Sequence, residues 1–240
     1  LPQKINIEGE NLKGVLHGIN FLKDVNLGKQ VTLGDTVAVI GGGNTAIDSA
    51  RTAIRLGAKK VLVLYRRTKD AMPAYENEIE EAIAEGVQIM ELVAPVRFAA
   101  GKTGKVEKIE CVRMKLGDFD SNGRRKSVPV EGSNFLIDVD TVIPAVSQYS
   151  DLPFIRKDEI GLTSWGTFVI DDGTLMTTME GVFAGGDVAR GPDTVIRAIA
   201  DGKKAAESID RYLGGKGKLN KGKKIEIPQQ TDDDEIVALK

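Results

Sequence analysis

The chain is poor in thiol, imidazole and indole side chains. Its 240 residues hold one cysteine, one histidine and one tryptophan. A lone cysteine, Cys111, excludes an intrachain disulfide and a four-cysteine cluster. It lies in a strand-like run and reads as a small core residue. His17 is the only histidine, so a histidine-built metal site has no second ligand; it reads as a turn residue before a short helix, and no metal is expected. No apolar stretch approaches the ~20 residues that a membrane-spanning helix needs. No N-terminal stretch reads as a signal peptide. An excess of one charge is missing too. Lysine and arginine number 33 against 35 aspartates and glutamates, so neither nucleic acid nor an anionic membrane is an expected partner. A reducing cytoplasm fits this pattern. The chain opens on Leu1-Pro2, which is not a natural start, so a fragment or a processed product is expected.

What is present is an ordinary soluble composition, 41% hydrophobic and 28% charged, in a length that suits one large domain or one domain and part of another. Residues 36–67 organise it: TVAVIGGGNTAIDSARTAIRLGAKKVLVLYRR. An apolar, β-branched run at 37–40 reads as a buried strand. Three glycines follow. Apolar residues at helical spacing then run from 44 to 56, with Gly57 as the stop. A second apolar run at 61–65 reads as another buried strand. Strand, glycine turn, helix and strand make a βαβ unit with its glycines where a dinucleotide needs them. Gly41 allows the tight turn, and Gly43 lets the backbone approach a pyrophosphate. Ala46 fills the third small position, where helix packs on strand. The amides of Asn44, Thr45 and Ala46 point at the phosphates with the helix dipole behind them.

The end of the second strand selects the coenzyme. An NAD site usually has a carboxylate there to accept from the ribose hydroxyls. This chain has Arg66 and Arg67 instead, and two guanidiniums suit a 2′-phosphate. The expectation is NADP rather than NAD.

Around this unit the chain divides into an entry segment (1–35), an NADP-binding domain (36–150), a partial second domain (151–213) and a tail (214–240). The entry segment carries a short helix ending at Gly28. Residues 75–85 read as an amphipathic helix with an acidic, solvated face, and 87–92 as a third strand of a parallel sheet. Between 93 and 140, short alternating runs separated by glycine or Asn-Gly turns signal an antiparallel β-meander inserted into that sheet. Residues 140–146 return as a buried strand. Further short strands are expected at 167–170 and 182–184. A last helix is expected from near Pro192, a favoured first-turn residue, to about Leu213, with Val195, Ile196, Ala198, Ile199, Ala205, Ala206 and Ile209 as its apolar stripe. Residues 214–240, lysine-rich and then acidic, read as a mobile tail or a loosely docked arm.

A second glycine turn, Gly185-Gly186-Asp187, follows the 182–184 run. Its glycines allow close approach and its carboxylate can accept from sugar or ribityl hydroxyls. The helix start near Thr194 offers free amides to an electron-rich atom. The bare physics leaves open a structural turn with a capping aspartate.

Four passages carry a resemblance: GENLKGV followed by FLKDVN; VAVIGGGNTAIDSAR with VLVLYRRTKDAMPA; TVIPAVSQ; and GVFAGGDVARGPDTVIRAIADGKKAA. Together they run from about residue 8 to 213. In them the chain resembles the C-terminal part of the NADPH-dependent glutamate synthase small-subunit family, flavoproteins with two dinucleotide-binding domains. The resemblance implies an α/β, Rossmann-like NAD(P)-binding domain plus the C-terminal part of an FAD-binding domain, with the entry segment 1–35 and residues 151–213 belonging to the FAD-type domain. It implies that Gly41, Gly43, Asn44, Thr45 and Ala46 hold the NADPH pyrophosphate, and Arg66 and Arg67 its 2′-phosphate. Ala145, Val146 and Ser147 match the strand end beside the nicotinamide, although the family usually has glycine at Ser147. Gly186 and Asp187 would meet the FAD ribityl or pyrophosphate, and Thr194 and Val195 the flavin's pyrimidine edge. It also implies, as partners, an iron–sulfur and FAD-containing portion of the same enzyme or a glutamate synthase large subunit. The family's FAD fold opens with its own GxGxxG unit, which this chain lacks, so FAD retention by this chain alone is not expected. Hydride transfer from NADPH to FAD needs stacking and distance more than an acid or base, so no catalytic side chain is nominated.

Two other readings remain open. A non-enzymatic NADP(H)-binding module is one. The other is a short-chain dehydrogenase, because Tyr65 and Lys69 have the spacing of its catalytic pair. Apolar residues near Val182 and Ile199 also suggest a homodimer.

Overall fold

The computed structural model describes residues 1–120, 123–153, 155 and 159–218. The chain divides into two compact units, Leu1–Tyr149 and Ser150–Lys240. Each is described by itself.

The first unit is built on a parallel sheet. Strands β1 (Thr36–Ile40), β2 (Lys60–Tyr65), β3 (Gln88–Glu91) and β8 (Thr141–Pro144) stand in the order β3-β2-β1-β8. Successive side chains on a strand face opposite ways, so each strand serves two cores. Val37, Val39, Val61, Val63 and Ile143 face helices α1 (Gly18–Asn26) and α2 (Asn44–Arg55), meeting Phe21, Ile47, Ala50 and Ala53. Ala38, Ile40, Leu62, Leu64 and Val142 face the other way, onto Val93, Phe98, Ile109 and Cys111. This double burial is why β1 and β2 read as continuous apolar runs rather than alternating ones. Each fully buried Val, Leu or Ile contributes about 1.5–3 kcal/mol relative to exposure. Helix α3 (Glu76–Ala84) brings Ile79 and Ala82 to the first core.

The second layer is the insertion, β4 (Val93–Ala100), β5 (Val106–Phe119), β6 (Arg125–Pro129) and β7 (Phe135–Asp138). It is antiparallel, as the alternation implies, but it is not a meander. The 14-residue strand β5 is a hub that pairs with β4, β6 and β7 in turn. Its length is the reason: 106–113 pairs with β4, while 114–119 extends beyond it and pairs with β6. Cys111 is fully buried here, and burial pushes its thiol up to about 12. It is therefore inert packing rather than a nucleophile.

Residues 1–35 belong to the first unit. The Leu16 amide donates to the Val142 carbonyl at 2.9 Å and the Phe98 amide to the Glu8 carbonyl at 2.8 Å. Glu10 is buried, and its carboxylate accepts from the Ile5 and Asn6 amides. His17 caps α1, and its Nδ1 is buried without a hydrogen-bond partner among the described residues.

The second unit holds α4 (Asp187–Arg190) and α5 (Val195–Tyr212). The strands expected at 167–170 and 182–184 are isolated bridges instead: Leu162 with Phe168, Ile170 with Thr177, Met176 with Phe183. Helix α5 starts at Val195, directly after the expected Pro192-Asp193-Thr194 opening. Thr194 is its N-cap, with Oγ1 accepting from the Arg197 amide at 3.4 Å. The expected apolar stripe is not the buried face. Asp201 and Ser208 are buried, whereas Val195, Ile196 and Ile199 are 75%, 79% and 53% exposed. Polar anchoring of the helix, described below, sets this orientation. Val182 is partly buried against the small cluster of Ile160, Phe168 and Ala184. The expected tail from 219 onward lies outside the described residues. Among the described residues, no helix is long and apolar enough to cross a membrane.

Candidate functional site

In the parallel sheet, β2 and β3 extend to one side of β1 and β8 lies on the other. Chain order therefore reverses between β1 and β8, and the crevice beyond their C-terminal ends is the topological switch point, where ligands of such sheets bind. Both expected segments reach it. The Ala145 amide donates to the Ile40 carbonyl at 2.8 Å, and the Gly41 amide to the Leu64 carbonyl at 3.2 Å. Gly41 has φ +141°, and a Cβ there would stand 2.3 Å from the Ala145 carbonyl oxygen. Only glycine allows the turn to lie this close to the end of β8. Val146 and Ser147 follow, both exposed. Thus the turn after β1 and the segment after β8 meet at the switch point, through Gly41 and Ala145.

Gly43 is the N-cap of α2, and the space where its Cβ would project is nearly empty, with Pro73 Cγ the nearest atom at 3.9 Å. Among the described residues, the Asn44 and Thr45 amides make no hydrogen bond and remain available at the helix start. The Ala46 amide does not. It donates back to the Gly43 carbonyl at 2.9 Å, and the residue is fully buried. Ala46 serves as the small packing position, and its N–H is withdrawn from the expected anion-facing set.

Neighbouring contacts that the sequence did not reveal brace this turn. The Asn44 Oδ1 accepts from the Tyr75 amide at 3.0 Å, and the Ala74 amide donates to the Gly42 carbonyl at 3.1 Å. A Cβ on Gly42 would meet the Tyr65 ring at 2.5 Å. The Tyr65 hydroxyl donates to the Ala71 carbonyl at 2.8 Å, and the residue is buried. That hydroxyl is structurally committed, so Tyr65 and Lys69 do not form the exposed pair that a short-chain dehydrogenase needs.

The two arginines after β2 part company. Arg66 is exposed and makes no ion pair or hydrogen bond among the described residues. Arg67 has partners: its side chain is 11% exposed, and its Nη2 lies 3.5 Å from Asp120 Oδ2. Its Nε donates to the Arg125 carbonyl at 2.8 Å. Of the expected pair, Arg66 is free of partners among the described residues, and Arg67 has its Nε and Nη2 engaged by the β5–β6 hairpin.

In the second unit, Gly186 has φ +66° and ψ −152°, a conformation that suits glycine, and it caps α4. The turn is held by Asp201. Its Oδ2 accepts from the Gly186 amide at 2.9 Å and from Arg190 Nε at 2.7 Å, and its Oδ1 accepts from Arg190 Nη2 at 3.0 Å. The Arg190 guanidinium, then the Gly186 amide, hold the Asp201 carboxyl below its ordinary value despite burial. This clamp fixes Asp187, which is exposed and whose Oδ1 accepts from the Asp193 amide at 3.3 Å. Thr194 and Val195 lie at the α5 start, both exposed. Neither Arg190 nor Asp201 announced itself in the sequence. An Asp with apolar neighbours on a helix face was the available signal.

A parallel sheet with its order reversing at a glycine turn defines a dinucleotide-binding fold, and comparison with known proteins makes the class specific. Residues 1–202 match the pyridine nucleotide-disulphide oxidoreductase family, and the chain belongs to it. It is 47% identical over 208 residues to the NADP(+)-dependent formate dehydrogenase subunit beta of Moorella thermoacetica, covering 86% of this chain and 29% of that protein. It is 38% identical over 229 residues to the glutamate synthase [NADPH] small chain of Azospirillum brasilense, covering 88% and 46%. The chain thus spans less than half the length of these curated relatives. Among solved structures, FprA of Mycobacterium tuberculosis aligns with TM-score 0.70 at 18% identity, over 89% of this chain and 62% of that one. T. acidophilum thioredoxin reductase aligns with TM-score 0.67 at 22% identity, over 89% and 62%. These two likenesses concern the fold.

Proposed function

We propose that this chain is the NADPH-binding portion of a flavoprotein oxidoreductase of the glutamate synthase small-subunit type. The observation that carries the proposal is the crevice itself: Gly41 lies against Ala145 at the switch point, with open space over Gly43 and free amides at Asn44 and Thr45. The pyrophosphate fits there on geometric and electrostatic grounds. Gly41, Gly43 and Ala46 shape the turn, Asn44 and Thr45 donate, and Arg66 takes the 2′-phosphate. Ala145, Val146 and Ser147 line the far lip, on the nicotinamide side. NADPH, when bound, supplies a hydride and FAD accepts it. The chain's own residues orient the donor by backbone contacts and contribute no acid or base, so no catalytic residue is assigned.

The Gly186–Asp187 turn and the Thr194–Val195 helix start are read as the returning part of an FAD site. Asp187 has an exposed carboxylate suited to sugar or ribityl hydroxyls. The GxGxxG unit that opens such a domain is not in this chain, and the exposed Val195, Ile196 and Ile199 suit burial against the rest of an FAD domain. On this reading the first unit binds NADPH by itself, whereas the chain alone retains little or no FAD. In isolation it behaves as an NADP(H)-binding module. Electrons leave the intact enzyme through an iron–sulfur portion or a glutamate synthase-like large subunit, in the cytoplasm. Formate dehydrogenase and NADPH-Fe(3+) oxidoreductase beta subunits among the relatives support a multi-subunit setting.

Calorimetric titration of the purified chain with NADPH and NADH tests the proposal. Saturable binding that favours NADPH supports it, and no binding of either removes it. Flavin absorbance co-purifying at about one per chain would overturn the FAD part alone.

A further inference from the structure

Three described residues other than glycine have a left-handed backbone: Asn6 with φ +60°, Leu92 with φ +54° and Leu175 with φ +62°. The conformation crowds the Cβ against the following carbonyl, and asparagine tolerates it better than leucine. Leu175 is fully buried, so packing offsets its strain. Leu92 has no such compensation. It is half-buried and belongs to neither apolar core of the first unit, although Ile89 packs on one core and Met90 and Val93 on the other. A turn is required at this point, because the chain passes from β3 into β4. The Leu92 amide donates to the Arg67 carbonyl at 3.1 Å, and its carbonyl accepts from the Met114 amide at 2.7 Å. Glycine or asparagine would make the same turn with less strain. The turn therefore does not explain an apolar, branched side chain here.

Its place in the sheet supplies a reason. Strand β3 runs parallel to β2, with Tyr65 opposite Glu91, so Leu92 stands at the C-terminal end of the sheet, the end that carries the Gly41 turn. A leucine side chain is short, and a backbone bonded on both sides fixes it there. On the reading above, the pyrophosphate lies at the start of α2 and the nicotinamide on the β8 side, which leaves the adenosine half over the ends of β2 and β3. A purine ring has broad, poorly hydrated faces and gains from an apolar surface. We propose that Leu92 is a binding residue for the purine of the coenzyme, held in a strained conformation that keeps an apolar side chain at the crevice end of the sheet and out of the core. Strain of this kind collects at ligand sites. The inference rests on the NADPH reading and extends it to the adenine end.

The test is calorimetric titration of the full chain with 2′,5′-ADP, the adenosine half of NADPH, together with thermal unfolding of the same variants. Leu92→Asn suits the left-handed backbone but removes the apolar contact. It should lower the affinity by about tenfold, the scale of one buried leucine contact, and leave the unfolding temperature unchanged or higher. A purely structural residue would not move the two readouts apart in this way. Leu92→Met keeps an apolar side chain and should keep most of the affinity. Leu136→Asn, the same change at an exposed position on β7, should leave the affinity alone. A Leu92→Asn chain that binds 2′,5′-ADP as tightly as the unaltered one overturns the inference. So does one whose affinity and unfolding temperature fall together, because Leu92 would then be packing. A loss in Leu92→Met as large as that in Leu92→Asn overturns the apolar contact. Failure of the unaltered chain to bind 2′,5′-ADP removes the NADPH reading itself.

Discussion

The two glycine turns of this protein do similar geometric work by different means. The turn at Gly41 is held by the main chain of a four-stranded parallel sheet, through backbone bonds to β2 and β8 strand ends. The turn at Gly186 has no sheet beneath it among the described residues. One buried carboxylate, Asp201, clamped by Arg190, holds it. The core nearby is small, with Ile160, Phe168 and Ala184 as its buried members. The contrast teaches that a ligand-facing turn can rest on a lattice of many modest backbone bonds or on one strong side-chain clamp. The first tolerates loss of any single polar side chain; the second does not.

The comparison can be broken most sharply at Gly41. Gly41→Val places a Cβ against the Ala145 carbonyl in a backbone conformation that a β-branched residue avoids. NADPH affinity should fall by of order 100-fold, with far-UV circular dichroism checking that the sheet persists. Retained affinity would mean that the crevice is not where the coenzyme lies.

Next in size is Asp201→Ala. It strips the Gly186 amide and the Arg190 guanidinium of their partner, and should destabilise the second unit by about 2–3 kcal/mol. Hydrogen exchange at residues 186–191 should accelerate, while exchange in β1 and β2 stays slow. Equal acceleration in both units would erase the distinction drawn here.

A smaller effect is expected from acid. Asp201 has its carboxyl lowered chiefly by Arg190, and Glu85 on the first unit chiefly by Arg51. Groups with depressed folded values add stability that is complete above their unfolded values and is lost as pH falls through the folded ones. Both units should therefore hold down to about pH 4 and weaken below it. Asp201→Asn should flatten this dependence only in exchange measured at residues 186–191.

The smallest effect is expected at Arg51, which joins α2 to α3 by ion pairs with Glu78, Glu81 and Glu85. Arg51→Gln should lower the melting temperature by a few degrees without altering NADPH binding, as measured by calorimetry. A loss of binding would show that the helix pair, and not the sheet, sets the turn.

Much of the first unit was legible beforehand because its determinants are local and periodic. The apolar runs of β1 and β2, the glycines between β1 and α2 and the spacing of Ile47, Ala50 and Ala53 state a crossover unit without reference to anything distant. The second unit was less legible for the opposite reason. Short bridges at 162–183 carry no strand-length pattern, and the apolar residues of α5 gave a stripe whose burial depended on a buried Asp–Arg pair 11 residues apart in sequence. The fate of Arg67 was hidden in the same way, since its partner carbonyl lies 58 residues on.

The sequence alone determined where the first crossover turns, which strands of the parallel sheet are buried and which coenzyme chemistry suits that crossover, because steric and hydrophobic preferences act over a few residues. Only the tertiary structure decided that Arg67, unlike Arg66, has partners, because they lie 53 and 58 residues on. A side chain's availability depends on the groups that folding brings within 3 Å of it, and no local pattern encodes that.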